Sequence, residues 1–105
     1  MTVTEVFDAT YEAAIQKGYV VLDLYGDHCG PCKAMAPYYS QVAADMAYVH
    51  FLKASIDQNP AIKETYKINV VPTILFMHDG QICERHTGAL DADQLRQHLA
   101  KLLYE

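Results

Sequence analysis

Two cysteines stand three residues apart in the stretch HCGPCK, residues 28–33, with a glycine and a proline between them. Such a pair can be a working dithiol, half of a metal site or a structural disulfide. Cys29 follows an apolar stretch and a short loop, at the point where helical character begins. The N-terminus of a helix presents unpaired N–H groups and partial positive charge. Both stabilise a thiolate, the nucleophilic form of cysteine, below its free pKa of about 8.5.

The spacing of the pair predicts reversible disulfide chemistry. Residues i and i+3 on one helical turn lie close enough for their sulfurs to bond. Pro31 suits the first turn of a helix because its φ is fixed and its missing N–H does little harm there. Gly30 lets the backbone of another chain approach the sulfur of Cys29. We therefore expect Cys29, at an exposed tip, to attack a substrate disulfide and Cys32 to resolve the mixed disulfide.

The two alternatives have less support in the sequence. A zinc site normally needs four ligands, and no second CxxC or CxxH accompanies Cys29 and Cys32. His28 and Cys83 could in principle contribute, but their spacing does not indicate a site, so we predict no bound metal. A static disulfide is unnecessary in a chain that is 51% hydrophobic and can therefore build a core without one.

Composition narrows the class of protein. The chain has 105 residues, and we expect residues 1–105 to form a single domain. Its formal net charge is −5, without the cluster of Lys and Arg that is typical of proteins that bind nucleic acid or anionic membranes. The N-terminal residues lack a basic start followed by a long apolar run, which argues against a secretory signal or a membrane span. Three cysteines are an odd count, which favours a reducing, cytoplasmic setting.

Apolar runs and helix-capping residues alternate along the first two thirds of the chain. Strands are predicted over 2–6, 19–25 and 50–57, and helices over 9–17, 29–48 and a short segment after Pro60. Asp8 could cap the first helix, and Gly18 could end it. Pro37 falls inside the second predicted helix, where the loss of one backbone donor should kink the helix rather than abolish it.

The last third of the chain predicts a hairpin and a final helix. Asp79-Gly80 is a two-residue turn between the runs VVPTILFM and QICERHT, which makes these runs antiparallel partners. Asp91 and Gln94 have the spacing of a capping box at the start of the final helix. The resulting order, β-α-β-α-β-α-β-β-α, predicts an α/β fold with a mixed central β-sheet of about five strands flanked by four helices.

The stretch Cys29–Lys33 resembles the active site of the thioredoxin family, and the resemblance extends over nearly the whole chain. Asp23 stands six residues before Cys29, as the family's buried aspartate does, and Pro37 sits at the family's helix kink. Further matches occur in the family's order: the strand and loop KASIDQNP, the cis-proline loop VPT, and glycines at positions 80 and 88. The resemblance implies the thioredoxin fold and a thiol–disulfide oxidoreductase.

Asp23 is a candidate for proton transfer. Its neighbours in the sequence are aliphatic, namely Val20, Val21, Leu22 and Leu24. Burial among them should raise the pKa of the carboxyl, because burial disfavours the charged form. Such a group could act as a general base or acid for Cys32, and the resemblance implies the same role. The alternative is an aspartate on an edge strand that pairs with a lysine, for which Lys53 is the family-matched candidate.

The resemblance also implies a substrate-docking face. It makes the Val71–Pro72 bond cis and places this loop against the dithiol, where the Val71 backbone can pair with an extended substrate strand. An ordinary proline at a strand edge is the alternative, because nothing local dictates a cis bond. The docking face would be shallow and mostly apolar and would comprise His28, Gly30, Pro31, Val71, Pro72, Thr87, Gly88 and Ala89.

His28 departs from the family, which usually has a tryptophan before the first active-site cysteine. Tyr25-Gly26 also replaces a more usual aromatic-alanine pair. Surface drift would explain both changes. Alternatively, a protonated His28 would favour the Cys29 thiolate and make the couple more oxidising, while Asp27 acts in the opposite direction. Screening limits both effects, so we expect at most a modest shift.

The predicted function is reduction of protein disulfides by a monomer that needs no cofactor of its own. Its partners would be disulfide-containing proteins and an electron donor of the thioredoxin-reductase type. A more oxidising catalyst of disulfide formation or isomerisation, and a redox-gated binding module without turnover, are the alternatives. Cys83 is expected to be a small packing residue in a strand. We expect His50, His78, His86 and His98 to occupy surface or core positions without a function.

Overall fold

The computed structural model describes residues 2–104, which form five strands and four helices in the predicted order. The strands are β1 Thr4–Glu5, β2 Tyr19–Tyr25, β3 Val49–Ser55, β4 Thr73–His78 and β5 Gln81–Thr87. The helices are α1 Tyr11–Ala14, α2 Gly30–Asp45, α3 Pro60–Tyr66 and α4 Ala92–Tyr104. Within residues 2–104, no helix is both long enough and apolar enough to span a lipid bilayer.

The strands form one mixed sheet in the order β1-β3-β2-β4-β5. β3 runs parallel to both β1 and β2, whereas β4 runs antiparallel to both β2 and β5. The prediction of a mixed sheet of about five strands with four helices is confirmed, and β2 is the central strand. The single domain over residues 1–105 stays a prediction, since Met1 and Glu105 lie outside the described residues.

The sheet is covered on both faces because β2 is apolar on both. Val20 and Leu22 belong to one core cluster, which also contains residues of α1 and α3. Val21 belongs to the other, which contains residues of α2 and α4. Successive side chains of a strand point to opposite faces, so a continuous apolar run needs helices on both sides. Asp23 shares its face with Val21, and its carboxyl therefore enters the core beneath α2.

The first two elements are shorter than predicted. β1 comprises only Thr4–Glu5, against the prediction of 2–6, and α1 comprises Tyr11–Ala14, against 9–17. Helices of this length gain little from propensity, so packing sets their ends. The packing residues here are Tyr11 and Ile15, which are buried in the core cluster under α1. At the other predicted boundaries, α2 ends at Asp45 rather than residue 48, and β3 ends at Ser55 rather than residue 57.

Asp8 caps a different helix from the one predicted. Its carboxylate accepts hydrogen bonds from the N–H groups of Ala61 at 3.1 Å and Ile62 at 2.9 Å, in the first turn of α3. The Asp8 N–H donates in turn to Oδ1 of the buried Asn59 at 2.9 Å. The prediction that Asp8 caps the first helix is wrong, because the fold brings the chain before α1 against the unpaired N–H groups of α3.

The turn and cap predictions in the last third of the chain are confirmed. Asp79 and Gly80 have φ values of 49° and 84°, as a two-residue hairpin turn of type I′ requires. The Gln94 N–H donates to Asp91 Oδ1 at 2.8 Å, and the Asp91 N–H donates to Gln94 Oε1 at 3.0 Å. These reciprocal bonds complete the capping box of α4.

Replacing Asp8 by alanine should lower the free energy of unfolding by about 1 kcal/mol, because α3 loses its N-terminal cap. Urea denaturation at neutral pH would measure the change. Glu64→Ala is the matched control. It also removes a carboxylate, but one that lies on α3 itself with a side chain that is 84% exposed. We expect the control to change the free energy by less than about 0.5 kcal/mol. Equal unfolding midpoints for the two variants would contradict the assigned cap.

Candidate active site

The dithiol lies where the central strand ends and α2 begins. Cys29 is the N-cap residue of α2, with an extended backbone at φ −120° and ψ 109°. Its Sγ accepts a hydrogen bond from the Cys32 N–H at 3.1 Å. Cys29 and Cys32 form a disulfide, with their Cα atoms 5.3 Å apart. The helix N-terminus thus directs an N–H at the Cys29 sulfur, which stabilises the thiolate once the disulfide is reduced.

Cys29 is more buried than an exposed tip would be. Only 8% of its surface is exposed, against 5% for Cys32. The Val71 carbonyl oxygen lies 3.8 Å from Cys29 Sγ. The expectation of an exposed tip is wrong, because the fold places the proline loop over the disulfide. Cys29 instead borders an open groove of about 470 Å³ whose lining comprises Gly26, Asp27, His28, Cys29, Ile56, Asp57 and Val71.

The proline loop and the end of β5 lie side by side next to the dithiol. The Val71–Pro72 bond is cis, as the resemblance implies. The Gly88 N–H donates to the Pro72 carbonyl oxygen at 2.8 Å, and Thr73 pairs with Thr87 across β4 and β5. The fold therefore brings together, from three separate parts of the chain, several residues of the predicted docking face.

Most of the predicted docking face is open to solvent. Its exposed members are His28, Gly30, Pro31, Thr87 and Ala89. Val71 and Gly88 are half-buried, and Pro72 is buried. Val70, which is 53% exposed beside Val71, is a further apolar residue of this loop. It is not predicted from the sequence, because the apolar run that continues into β4 makes it look like a strand residue.

Asp23 is buried in the middle of the sheet. It lies on the central strand, so the alternative of an edge-strand aspartate is wrong. Only 5% of its surface is exposed, and within residues 2–104 its Oδ1 has no hydrogen-bond partner. Burial raises the pKa of Asp23 from 3.8 to about 7, while the Lys53 ammonium opposes this rise and the Glu5 carboxylate adds to it. A carboxyl that titrates near neutrality can both accept and return a proton at physiological pH.

A small cavity joins Asp23 to the dithiol. Its volume is about 170 Å³, and its lining comprises Asp23, Tyr25, Gly26, Asp27, Cys32, Lys33, Ala36 and Lys53. This volume exceeds the roughly 30 Å³ that one water molecule occupies in the liquid, and several of the lining groups are polar. Cys32 and Asp23 therefore line one pocket that is large enough to hold water.

Lys53 faces Asp23 across the β2–β3 pair but forms its ion pair elsewhere. Its Nζ lies 3.8 Å from Oε1 of Glu5 on β1. The Tyr25 hydroxyl donates to Oε2 of the same Glu5 at 2.9 Å, and Lys53 Nζ lies 5.9 Å from the centre of the Tyr25 ring. Glu5 is not predicted from the sequence as a neighbour of the site, because a local pattern does not specify how β1 aligns with β3.

Asp27 and His28 differ in how firmly they are held. Asp27 Oδ1 accepts hydrogen bonds from Ser55 Oγ at 2.6 Å and from Gln58 Nε2 at 3.1 Å. These hydrogen bonds, together with the nearby His28, hold the pKa of Asp27 below its usual range. His28 is exposed, so solvent and salt screen any charge on its ring. The Asp27 carboxylate is thus a fixed negative charge beside the dithiol at neutral pH.

The third cysteine has surroundings other than those predicted. Cys83 is exposed on β5, so its expected packing role is wrong, because β5 is an edge strand. His98 on α4 stacks on Phe76 as a packing residue, and its Nδ1 lies 2.9 Å from a carboxylate oxygen of Glu84. Across residues 2–104, no three His, Cys, Asp or Glu side chains are arranged to hold a metal ion.

Comparison with known proteins decides the family. The family model for thioredoxin matches residues 2–101. This chain belongs to the thioredoxin family. A thioredoxin of Chlamydia trachomatis serovar D is 35% identical over 88 residues, which cover 84% of this chain and 86% of the relative. A thioredoxin of Staphylococcus aureus is 31% identical over 104 residues, which cover 98% of this chain and 100% of the relative.

Solved structures agree with this assignment. Thioredoxin f from spinach chloroplast, in its short form, superposes with a TM-score of 0.88 at 33% identity, covering 96% of this chain and 93% of that one. Family membership and the Cys29–Cys32 pair together make the protein a thiol–disulfide oxidoreductase of the protein-disulfide reductase type. Membership also implies disulfide-containing protein substrates and a reductase partner in general.

Replacing Asp23 by asparagine should stabilise the oxidised protein at pH 8 by up to about 4 kcal/mol, because a buried carboxyl no longer has to ionise. The folded-state pKa of about 7 lies above the ordinary value of 3.8. Wild type therefore loses stability as the pH rises between these values, and the advantage of the variant should disappear towards pH 4.

Urea denaturation of the oxidised proteins at several pH values from 4 to 8 would measure this difference. Asp93→Asn, which changes an exposed carboxyl on α4, is the matched control and should lose stability with rising pH as wild type does, since it retains Asp23. A stabilisation by Asp23→Asn of the same size at every pH would contradict the raised pKa.

Proposed function

We propose that Cys29 is the nucleophile that attacks protein disulfides and that Cys32 resolves the mixed disulfide. The observation that carries this proposal is the hydrogen bond from the Cys32 N–H to Cys29 Sγ at the N-terminus of α2. It favours negative charge on Cys29 before Cys32. The surroundings support the same order, since Cys29 lies in a groove beside the Val71 loop while Cys32 lines a separate pocket with Asp23.

The reaction consists of two thiol–disulfide exchanges. The Cys29 thiolate attacks one sulfur of the substrate disulfide, forms a mixed disulfide and expels the other substrate sulfur as a thiolate. Cys32 then loses its proton, and its thiolate attacks Cys29 Sγ, which releases the second substrate sulfur. Two electrons pass from the protein dithiol to the substrate, and the protein is left with the Cys29–Cys32 disulfide. An external reductase must then restore the dithiol.

Asp23 accepts the proton that Cys32 loses in the second exchange. Its carboxyl has a pKa of about 7, close to the pH at which a general base works best. The 170 Å³ cavity that Asp23 shares with Cys32 provides room for the water that relays the proton. Lys53 acts on the carboxyl electrostatically from the neighbouring strand and favours its ionised form.

The substrate binds as an extended segment against the proline loop. The backbone of Val71 provides hydrogen-bonding groups beside Cys29, and the exposed Val70 adds apolar surface. The residues proposed to contact the substrate are His28, Gly30, Pro31, Val71, Pro72, Thr87, Gly88 and Ala89. Because backbone contacts are independent of sequence, this mode of binding suits many protein partners.

The remaining proposals concern the setting of the protein. We propose a single domain that works as a monomer in the cytoplasm and receives electrons from a thioredoxin-reductase-type donor. The odd cysteine count supports a reducing compartment, and the net charge of −5 argues against nucleic acid or an anionic membrane as a partner. No cofactor is needed, because two cysteine thiols supply both electrons of the exchange.

Reduction of insulin disulfides in the presence of dithiothreitol tests the assigned order of the cysteines. Wild type should accelerate the reaction, and Cys29→Ser should lose all acceleration because the first exchange cannot occur. Cys32→Ser should instead accumulate a mixed disulfide through Cys29, which mass spectrometry detects. Cys83→Ser, a free exposed cysteine, is the control and should behave like wild type. A mixed disulfide formed through Cys32 would reverse the order, and no acceleration by wild type would favour the redox-gated binding module.

Asp23→Asn should slow insulin reduction at pH 7 by about 10- to 100-fold, because the second exchange loses its proton acceptor. Rapid-quench measurements should place the delay in the decay of the mixed disulfide and leave its formation unchanged. Asp93→Asn serves again as the surface control. Wild-type decay of the mixed disulfide in Asp23→Asn would remove this residue from the reaction.

A further inference from the structure

Three ionisable side chains lie in one row that runs from the edge strand β1 across β3 to the central strand β2. Glu5 on β1 pairs in register with Lys53 on β3, and Lys53 pairs in register with Asp23 on β2. Residues paired in register point to the same face of a sheet, so the lysine stands between two carboxyls. Only one of these carboxyls, that of Glu5, forms an ion pair with Lys53.

We propose that Glu5 is a positioning residue that, together with Tyr25, draws the Lys53 ammonium away from the Asp23 carboxyl and thereby sets the pH at which this carboxyl gains and loses its proton. The kinetic consequence rests on the function proposed above for Asp23. The electrostatic effect itself does not, because it can be measured on Asp23 directly.

The contacts around Lys53 place its ammonium beside Glu5 and Tyr25. Lys53 Nζ lies 3.8 Å from Glu5 Oε1 and 5.9 Å from the centre of the Tyr25 ring. The Tyr25 hydroxyl donates a hydrogen bond to Glu5 Oε2 at 2.9 Å. This bond orients the carboxylate that pairs with Lys53. Tyr25 lies two residues after Asp23 on the same strand and therefore on the same face. Asp23 Oδ1, by contrast, is buried without a hydrogen-bond partner within residues 2–104.

Whether Lys53 pairs with Glu5 or with Asp23 determines how readily the buried Asp23 carboxyl ionises. If Lys53 paired directly with Asp23, the attraction would keep the carboxylate ionised at neutral pH and make it a weak proton acceptor. Glu5 weakens this attraction in two ways, by holding the ammonium and by adding its own negative charge. Consistent with this, Lys53 lowers the pKa of Asp23 and Glu5 raises it, while burial contributes the largest part of the rise.

Other titratable groups also face Asp23, and none of them replaces Glu5 in this role. From α2, Cys32 and Lys33 line the shared cavity, and Asp27 does so from the preceding loop. Tyr39, also on α2, donates its hydroxyl to the carbonyl oxygens of Val21 and Leu52. Glu5, unlike these groups, both contacts Lys53 and pairs with it in register.

Carboxyl carbon NMR of the oxidised protein measures the titration midpoint of Asp23 directly. Glu5→Gln should lower this midpoint by about half a pH unit, since Lys53 is released and a negative charge is removed. Tyr25→Phe, which keeps the ring but removes the hydrogen bond to Glu5, should lower it by less. Glu12→Gln removes the same charge from the exposed surface of α1 and should leave the midpoint unchanged. Glu5→Asp, which retains the negative charge, should bring the midpoint part of the way back to the wild-type value.

The pH dependence of mixed-disulfide decay is the second readout. Its acidic limb in Glu5→Gln should move to lower pH by the same amount as the Asp23 midpoint. A midpoint equal to that of wild type would overturn the inference. Loosening of β1 that exposed Asp23 to water would also lower the midpoint, so Glu5→Asp, which keeps the charge, and the free energy of unfolding of each variant separate this cause from the loss of the Glu5 carboxylate. A shifted midpoint with an unmoved rate profile would support the role of Glu5 and overturn that of Asp23 in the reaction.

Discussion

The N-terminus of α2, held against the end of the central strand, is the constraint on which the rest of the site depends. It places an N–H group 3.1 Å from Cys29 Sγ and puts Cys32 one turn deeper. The two sulfurs consequently have different surroundings, since Cys29 borders a groove beside the Val71 loop and Cys32 a pocket shared with Asp23. Two chemically identical thiols thereby acquire different tasks. The difference comes from their positions at the helix terminus, where unpaired N–H groups and the helix dipole act on the first sulfur most strongly.

Asp23 shows that a residue of the candidate active site can lower the stability of the folded protein. A carboxyl in the centre of the sheet, 5% exposed and with one oxygen unpaired within residues 2–104, destabilises the folded state once it ionises. Aliphatic residues on both faces of β2 offset this penalty by burying a large apolar surface. Burial also raises the pKa of the carboxyl to about 7, so the same feature that weakens the fold provides a proton acceptor near neutrality.

Strand order links the site to a part of the chain that is distant in sequence. β1 is only two residues long, yet its pairing with β3 brings Glu5 to Lys53 and to the Tyr25 hydroxyl. The Tyr25 hydroxyl provides the hydrogen bond that orients Glu5. His28, by contrast, remains exposed at the rim of the groove.

The sequence by itself determined the features that depend on neighbouring residues. These are the CxxC spacing at a helix start, the Asp79-Gly80 turn, and the capping box between Asp91 and Gln94. Each of these features involves residues only a few positions apart, so the local backbone geometry is enough to specify it. The tertiary structure alone decided that Asp8 caps α3 and that Lys53 pairs with Glu5. In those contacts several partners of suitable chemistry compete, and only strand order and register determine which of them lies within reach.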